Sequence, residues 1–362
     1  MNNTFLKEGS ITPNASINNV YIKKMPVYNI EENLEGKYAG DIFSTQLIID
    51  EIKKYHKELN INLQNIEERK LPQSLDKCLE SDNVIVKKYA EKIAKLFGNR
   101  LALILLVLKT GLDENRKARK DWTNDYWEYW NQINYVIFTG GLASGNLGEK
   151  FKYTIDKLFN ENNVKPYNLI LNPDSQNIAI KGCATYIDNL LKDKLYLILD
   201  CGATFIKRSA IKFGPDEKLN ITELNKLPSK YVECDYKTDE EEREEAVKMH
   251  NYIMNVIIDS LNEVSSSKNN FNDIGNSIII SIANYVNNGV FIKRGSYGKL
   301  RLLSHNYEEF LSDKIYEAIN KRYTIRLVHD GTAMASAFNK YDDSVCISLG
   351  TRFGVGFPVR IE

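Results

Sequence analysis

Two apolar runs, 195–199 and 345–349, break off into turns that combine glycine with threonine, then resume as second apolar runs, 205–213 and 355–360. Short apolar runs bounded by such turns predict strand hairpins. Further short runs at 135–138, 167–171, 277–282 and 325–328 alternate with helical patterns over 41–59, 83–110, 145–159, 178–191, 238–264, 307–321 and 331–339. Strands alternating with helices predict an α/β architecture. A short strand is expected at 19–27, and the polar stretch 60–82 reads as a loop with short turns. The longest apolar run, Leu101 to Leu108, is bracketed by Arg100 and Lys109 and predicts the buried face of a helix. It is far shorter than the ~20 residues a membrane-spanning helix needs. Trp127 and Trp130 share one helical face, where they either close over a hydrophobic surface or stack on a ligand.

The 362 residues suffice for two domains at roughly 150 residues each. Lys+Arg and Asp+Glu both number 48, so no nucleic-acid or anionic-membrane partner is expected. Cys78, Cys183, Cys201, Cys234 and Cys346 are scattered and odd in number, with no Cys-x-x-Cys spacing. Neither a zinc site nor a disulfide framework follows. The expectation is a reduced, cytoplasmic protein without a secretory leader, since the first residues lack an apolar segment.

Three turns carry the chemistry. Asp200, Gly202 and Thr204 leave one strand, with Lys207 on the next. Glycine admits a phosphate close to the backbone, a threonine hydroxyl and amides can bind its oxygens, and an aspartate can hold Mg2+ through water. Gly350 and Thr351 repeat that pattern. Gly140, Gly141 and Ser144 lie between a strand and a helix, where small residues let a flat ring approach and the helix N-terminus favours an anion. Each turn alone is also an ordinary structural turn. Asp330 follows a strand and precedes a small-residue helix. That position suits a helix cap as well as a base taking a proton from an attacking hydroxyl.

Taken together these motifs resemble the actin-like ATPase superfamily, and within it the hexokinase and ROK sugar kinases. LDCGAT (199–204) is similar to the first phosphate motif, VHDGTA (328–333) to the segment with the catalytic aspartate, LGTRFGVG (349–356) to the second phosphate motif and FTGGLASG (138–145) to the adenosine motif. The stretch 281–300 is similar to the hexokinase sugar loop, and 31–41 to a segment whose leading glutamate, here Glu31, binds sugar hydroxyls. The family order places these last two lobe-two motifs, at 31–41 and 138–146, after the others; here they come first. A circular permutation produces that order, and permutation is tolerated where termini lie near each other at the surface.

The resemblance implies an α/β, two-lobed, ribonuclease H-like fold, circularly permuted. Lobe two would comprise 1–190 plus 343–362 and lobe one 191–342, with nucleotide in the cleft between them. It implies ATP and Mg2+ as cofactors and a small-molecule acceptor, a sugar or sugar-like hydroxyl compound; a homodimer is left open. Asp330 would be the base and Asp200 the metal-positioning residue. Gly202, Thr204, Lys207, Gly350 and Thr351 would hold phosphates, and Gly140, Gly141 and Ser144 the nucleoside. Glu31, Ser281, Lys293, Arg294 and His329 would face the acceptor. Several positions depart from the pattern: Ala203 replaces a glycine, Lys207 an arginine, His329 an asparagine, and Lys293–Arg294 stand where hexokinases have Thr-Lys. The ROK zinc site is absent. These departures leave a rival reading, a non-catalytic nucleotide-binding regulator or assembly protein on the same fold.

Overall fold

A computed structural model describes the chain except residues 1–2, 8–9, 28–29, 31–32, 173–176, 188–193, 215–217, 268–273, 294 and 360–362. In chain order its principal elements begin with four helices, α1 (Thr45–Lys54), α2 (Leu71–Cys78), α3 (Val84–Thr110) and α4 (Asn124–Gln132). Then come β1 (Tyr135–Thr139), α5 (Gly145–Glu161), β2 (Asn168–Leu171), α6 (Ile178–Ala184), β3 (Leu195–Cys201), β4 (Phe205–Phe213) and β5 (Leu219–Pro228). The chain closes with α7 (Asp239–Ser267), β6 (Ile274–Ile282), α8 (Tyr307–Ile319), β7 (Thr324–His329), α9 (Asp330–Ser336), β8 (Ser344–Ser348) and β9 (Gly354–Gly356). The protein is therefore mixed α/β. Among the described residues no helix is long and apolar enough to cross a membrane.

The chain divides into two compact units, one of residues 1–5, 14–175 and 341–355, the other of 6–13, 176–340 and 356–362. The first is built on a four-stranded sheet in the order β9-β8-β1-β2, with β8, β1 and β2 mutually parallel. Its helix α3 is buried on every side from Leu101 to Leu108, beyond the single face expected, because α4 and α5 both pack on it. At its end the buried Lys109 donates to the carbonyls of Asn131 (2.5 Å) and Ile133 (2.8 Å). Burial pushes that ammonium down to about 8. Trp127 and Trp130 are core residues, 1% and 0% exposed, so the hydrophobic-surface alternative holds for both.

The second unit has a five-stranded sheet ordered β5-β4-β3-β6-β7. β3, β6 and β7 are parallel; β4 and β5 continue antiparallel from β3. Alternate residues of a strand face opposite sides. Leu197, Leu199 and Cys201 join one core with Met249, Ile253 and Ile257 of α7. Tyr196 and Ile198 join the other, with Ile180 and Cys183 of α6 and Ala333 of α9. Both faces are covered, which is why β3 reads as an apolar run over 195–199 and β6 over 278–280.

Two expectations need correction. The stretch 60–82 is not all loop: α2 lies within it, burying Leu71, Leu75 and Leu79. Residues 19–27 form no strand beyond a single bridge, Tyr21 to Tyr38. The amides of Lys23 and Lys24 both donate to Asn115 Oδ1 at 2.9 Å, so a side chain takes the bonds a neighbouring strand would need.

Candidate functional site

In the second unit, the carboxyl ends of β3, β6 and β7 bring four of the expected residues together. The register aligns Asp200 with Ser281 and Ser281 with Val328, so His329 and Asp330 follow at the adjoining strand end. Ligands of open parallel sheets gather at such ends. Ser281 Oγ donates to Asp200 Oδ1 (2.9 Å), and Lys207 Nζ, directly opposite on β4, donates to Oδ2 (3.2 Å). The turn beyond Asp200 leaves Thr204 exposed. Its base is fixed where the Gly202 carbonyl accepts from Ser229 Oγ (2.8 Å) and Tyr297 Oη (2.9 Å).

Asp330 is not the helix cap. His329 caps α9: its Nδ1 accepts from the Thr332 amide at 3.2 Å. An accepting Nδ1 puts the ring proton on Nε2, which faces Asp330 Oδ1 at 3.3 Å. The Tyr285 ring stacks on the imidazole, centroids 4.7 Å apart. Burial holds His329 below its ordinary value, so the ring is neutral, with Asp330 opposing the shift. Asp330 Oδ1 also accepts the Gly331 amide at 2.7 Å. Its other oxygen, Oδ2, takes no hydrogen bond from the described residues, and 40% of the side chain is open. Burial lifts the Asp330 carboxyl above the usual range; His329 and the Gly331 amide oppose this and the nearby Asp200 charge adds to it. A carboxylate made more basic, oriented through one oxygen and open at the other, can accept a proton.

In the first unit the parallel ends of β1 and β8 set the other two turns side by side. Thr139 pairs with Ser348, and the Leu349 amide donates to the Thr139 carbonyl at 2.8 Å. Gly140 has φ +90°, and a Cβ there would lie 2.6 Å from the Leu349 carbonyl oxygen. Gly141 faces open space, as does Gly350 apart from the Arg352 carbonyl, and Thr351 is exposed. Ser144 Oγ turns back to the Gly141 carbonyl at 3.3 Å. The α5 N-terminus, expected to favour a bound anion, is already occupied by one. Asp76 Oδ1 accepts the Leu147 amide at 2.7 Å, and Gly145 lies against the same carboxylate. An anionic group brought to this helix end would meet that carboxylate.

Lys293 is exposed and lines a separate polar cavity, whose lining includes none of Asp200, Ser281, His329 or Asp330. Glu31 and Arg294 lie outside the described residues. Sequence reasoning missed Asp76, Ser229, Tyr285 and Tyr297. Tyr285 and Tyr297 fall inside the sugar-loop stretch, and Leu71, Leu75 and Leu79 at helical spacing after a glutamate-rich run were the available signal for the helix bearing Asp76. Among the described residues no three His, Cys, Asp or Glu side chains converge as a metal cage. A single carboxylate such as Asp200 still suits Mg2+, which keeps several waters and takes phosphate oxygens as ligands.

No family model matches the chain, and no curated protein matches it.

Proposed function

We propose that the protein is an ATP-dependent phosphotransferase acting on a hydroxyl of a sugar or sugar-like molecule, on a permuted, actin-like, ribonuclease H-like fold. The observation that carries this reading is Asp330: fixed through Oδ1 by His329 and Gly331, and open at Oδ2, beside Asp200 at parallel strand ends. The strand orders support the fold. In each unit a strand that enters a Gly–Thr hairpin (β3 or β8) is flanked by two successive parallel strands (β6 and β7, or β1 and β2). In the first unit those parallel strands precede the hairpin in the chain, as permutation requires.

Asp330 Oδ2 takes the acceptor's hydroxyl proton as its oxygen attacks the terminal phosphorus, and ADP leaves. His329 stays neutral and steadies the carboxylate through Nε2–H. Gly202, Thr204, Gly350 and Thr351 bind phosphate oxygens, Lys207 neutralises charge beside Asp200, and Gly140, Gly141 and Ser144 admit the nucleoside. Asp200 would hold Mg2+, which would supply charge neutralisation during the transfer. Ser281 and His329 border the acceptor. A cytoplasmic setting, where ATP and Mg2+ are plentiful, fits this reading.

A non-catalytic nucleotide-binding regulator is the second reading. It is favoured by Asp200, both of whose oxygens are already held, by Ser281 and Lys207. ADP release from Mg-ATP across hexoses, amino sugars and polyols, with Asp330→Asn as control, separates the two. Acceptor-dependent turnover lost in the variant supports the kinase. ATP binding without turnover supports the regulator, and no ATP binding sinks both.

A further inference from the structure

A cavity of about 620 Å3 lies in the second unit, between the start of α7 and Lys293, Gly295, Lys299 and Arg301. That volume is ample for a small molecule. Four cations, Lys237, Lys293, Lys299 and Arg301, line it against two carboxylates, Asp239 and Glu242. Glu242 is already committed, in a two-pronged pair with Arg301 at 2.8 and 3.0 Å. Lys299 is the unusual member. It is 2% exposed, yet its ammonium meets only backbone carbonyls, of Tyr231 (2.6 Å) and Glu233 (2.8 Å). The Tyr236 ring centroid lies 4.7 Å away. Among the described residues no carboxylate pairs with Lys299, Lys293 or Lys237 within 4.0 Å. Buried ammonium groups almost always have a countercharge, and two carbonyls use only two of the three N–H donors.

We propose that this cavity binds a small phosphate-bearing molecule, whose dianionic group meets Lys299 at the back and Lys293 and Lys237 at the rim. Glu233, Glu242 and Glu245 act on Lys299 only from beyond ion-pair distance, so a dianion would supply the close countercharge it lacks, and the volume leaves room for the rest of the molecule. The site stands on its own residues and does not depend on phosphoryl transfer at Asp330.

Cys234 lines the same cavity and is exposed, which makes it a local reporter. The experiment is alkylation of the full chain with iodoacetamide, followed at the Cys234 peptide, with and without a hexose 6-phosphate, inorganic phosphate or sodium chloride of matched ionic strength. The hexose phosphate should slow labelling and chloride should not. Equal protection by inorganic phosphate would support the site while assigning it to the free ion. Lys237→Gln with Lys293→Gln, both at exposed positions, should raise the half-protecting concentration about tenfold. Lys299→Met, where it folds, should abolish protection. Unchanged Cys234 labelling under both phosphates, or a half-protecting concentration that the double variant leaves unchanged, overturns the proposal.

Discussion

The strand ends of the two units are built from opposite materials. In the second unit they present two polar clusters, Asp200 held by Ser281 and Lys207, and Asp330 held by His329 and the Gly331 amide. In the first they present Gly140, Gly141, Gly350 and Thr351, and two of these glycines face open space. A charged cluster fixed before any ligand arrives suits charge and proton chemistry, because its dipoles need not reorganise. Bare backbone suits close approach by a flat or bulky group. If the protein is the proposed phosphotransferase, the difference teaches that the two ends should fail differently when altered: the second in rate, the first in affinity.

The largest effect should come from Asp330→Asn. On the proposed reading it keeps the shape and removes the base, so acceptor-dependent kcat should fall by about 10²–10⁴, the usual contribution of such a group. ATP affinity, measured by titration, should stay near that of the parent. Equal losses in rate and ATP affinity would break the division of labour between the ends.

The next prediction concerns acid. His250 in α7 is buried against Tyr307 Oη (2.9 Å), and burial, helped by Lys314, pushes it down to about 4. The unfolded chain, titrating near 6.5, binds this proton first, so stability present above that value is lost as pH falls from about 6.5 towards 4. The shift corresponds to roughly 3 kcal/mol at 1.36 kcal/mol per unit. His329, also lowered, adds in the same direction. Asp330, raised, opposes them, since the folded state holds its proton longer. Both lowered histidines lie in the second unit, so hydrogen exchange at pH 4.5 should open its sheet before that of the first. His250→Gln should remove most of the effect; urea midpoints at pH 7 and 4.5 check it.

Much of the second unit was legible because its central strands are buried on both faces and read as plain apolar runs. β5 left no such trace. Its sequence LNITELNKLP has no residue in the buried class, and as an edge strand it gains its place from pairing with β4 rather than from burial. Asp200, Ser281, His329 and Asp330 could each be picked out singly in the sequence, but their wiring could not. That Asp330 is not the cap could be seen only from His329 supplying it, an unusual cap residue. Asp76 was invisible for a related reason. It acts on a helix that begins 69 positions later, at Gly145, and no local pattern encodes so distant a partner.

The smallest effects give the sharpest test of the first unit's role. Gly140→Ala and Gly141→Ala differ by one position and should differ in kind. At Gly140 a side chain must adopt φ +90° and meet the Leu349 carbonyl at 2.6 Å. Strain of that sort costs about 1–3 kcal/mol, visible as a lowered urea midpoint with or without ATP. At Gly141 a Cβ meets nothing within 4 Å, so stability should change by less than about 0.5 kcal/mol. If a nucleoside lies over this backbone, the added methyl occupies its place, and ATP affinity should drop severalfold while the apo midpoint stays put. A Gly141→Ala protein that binds ATP as tightly as the parent would remove this turn from the nucleotide site and leave its glycines with a purely structural role.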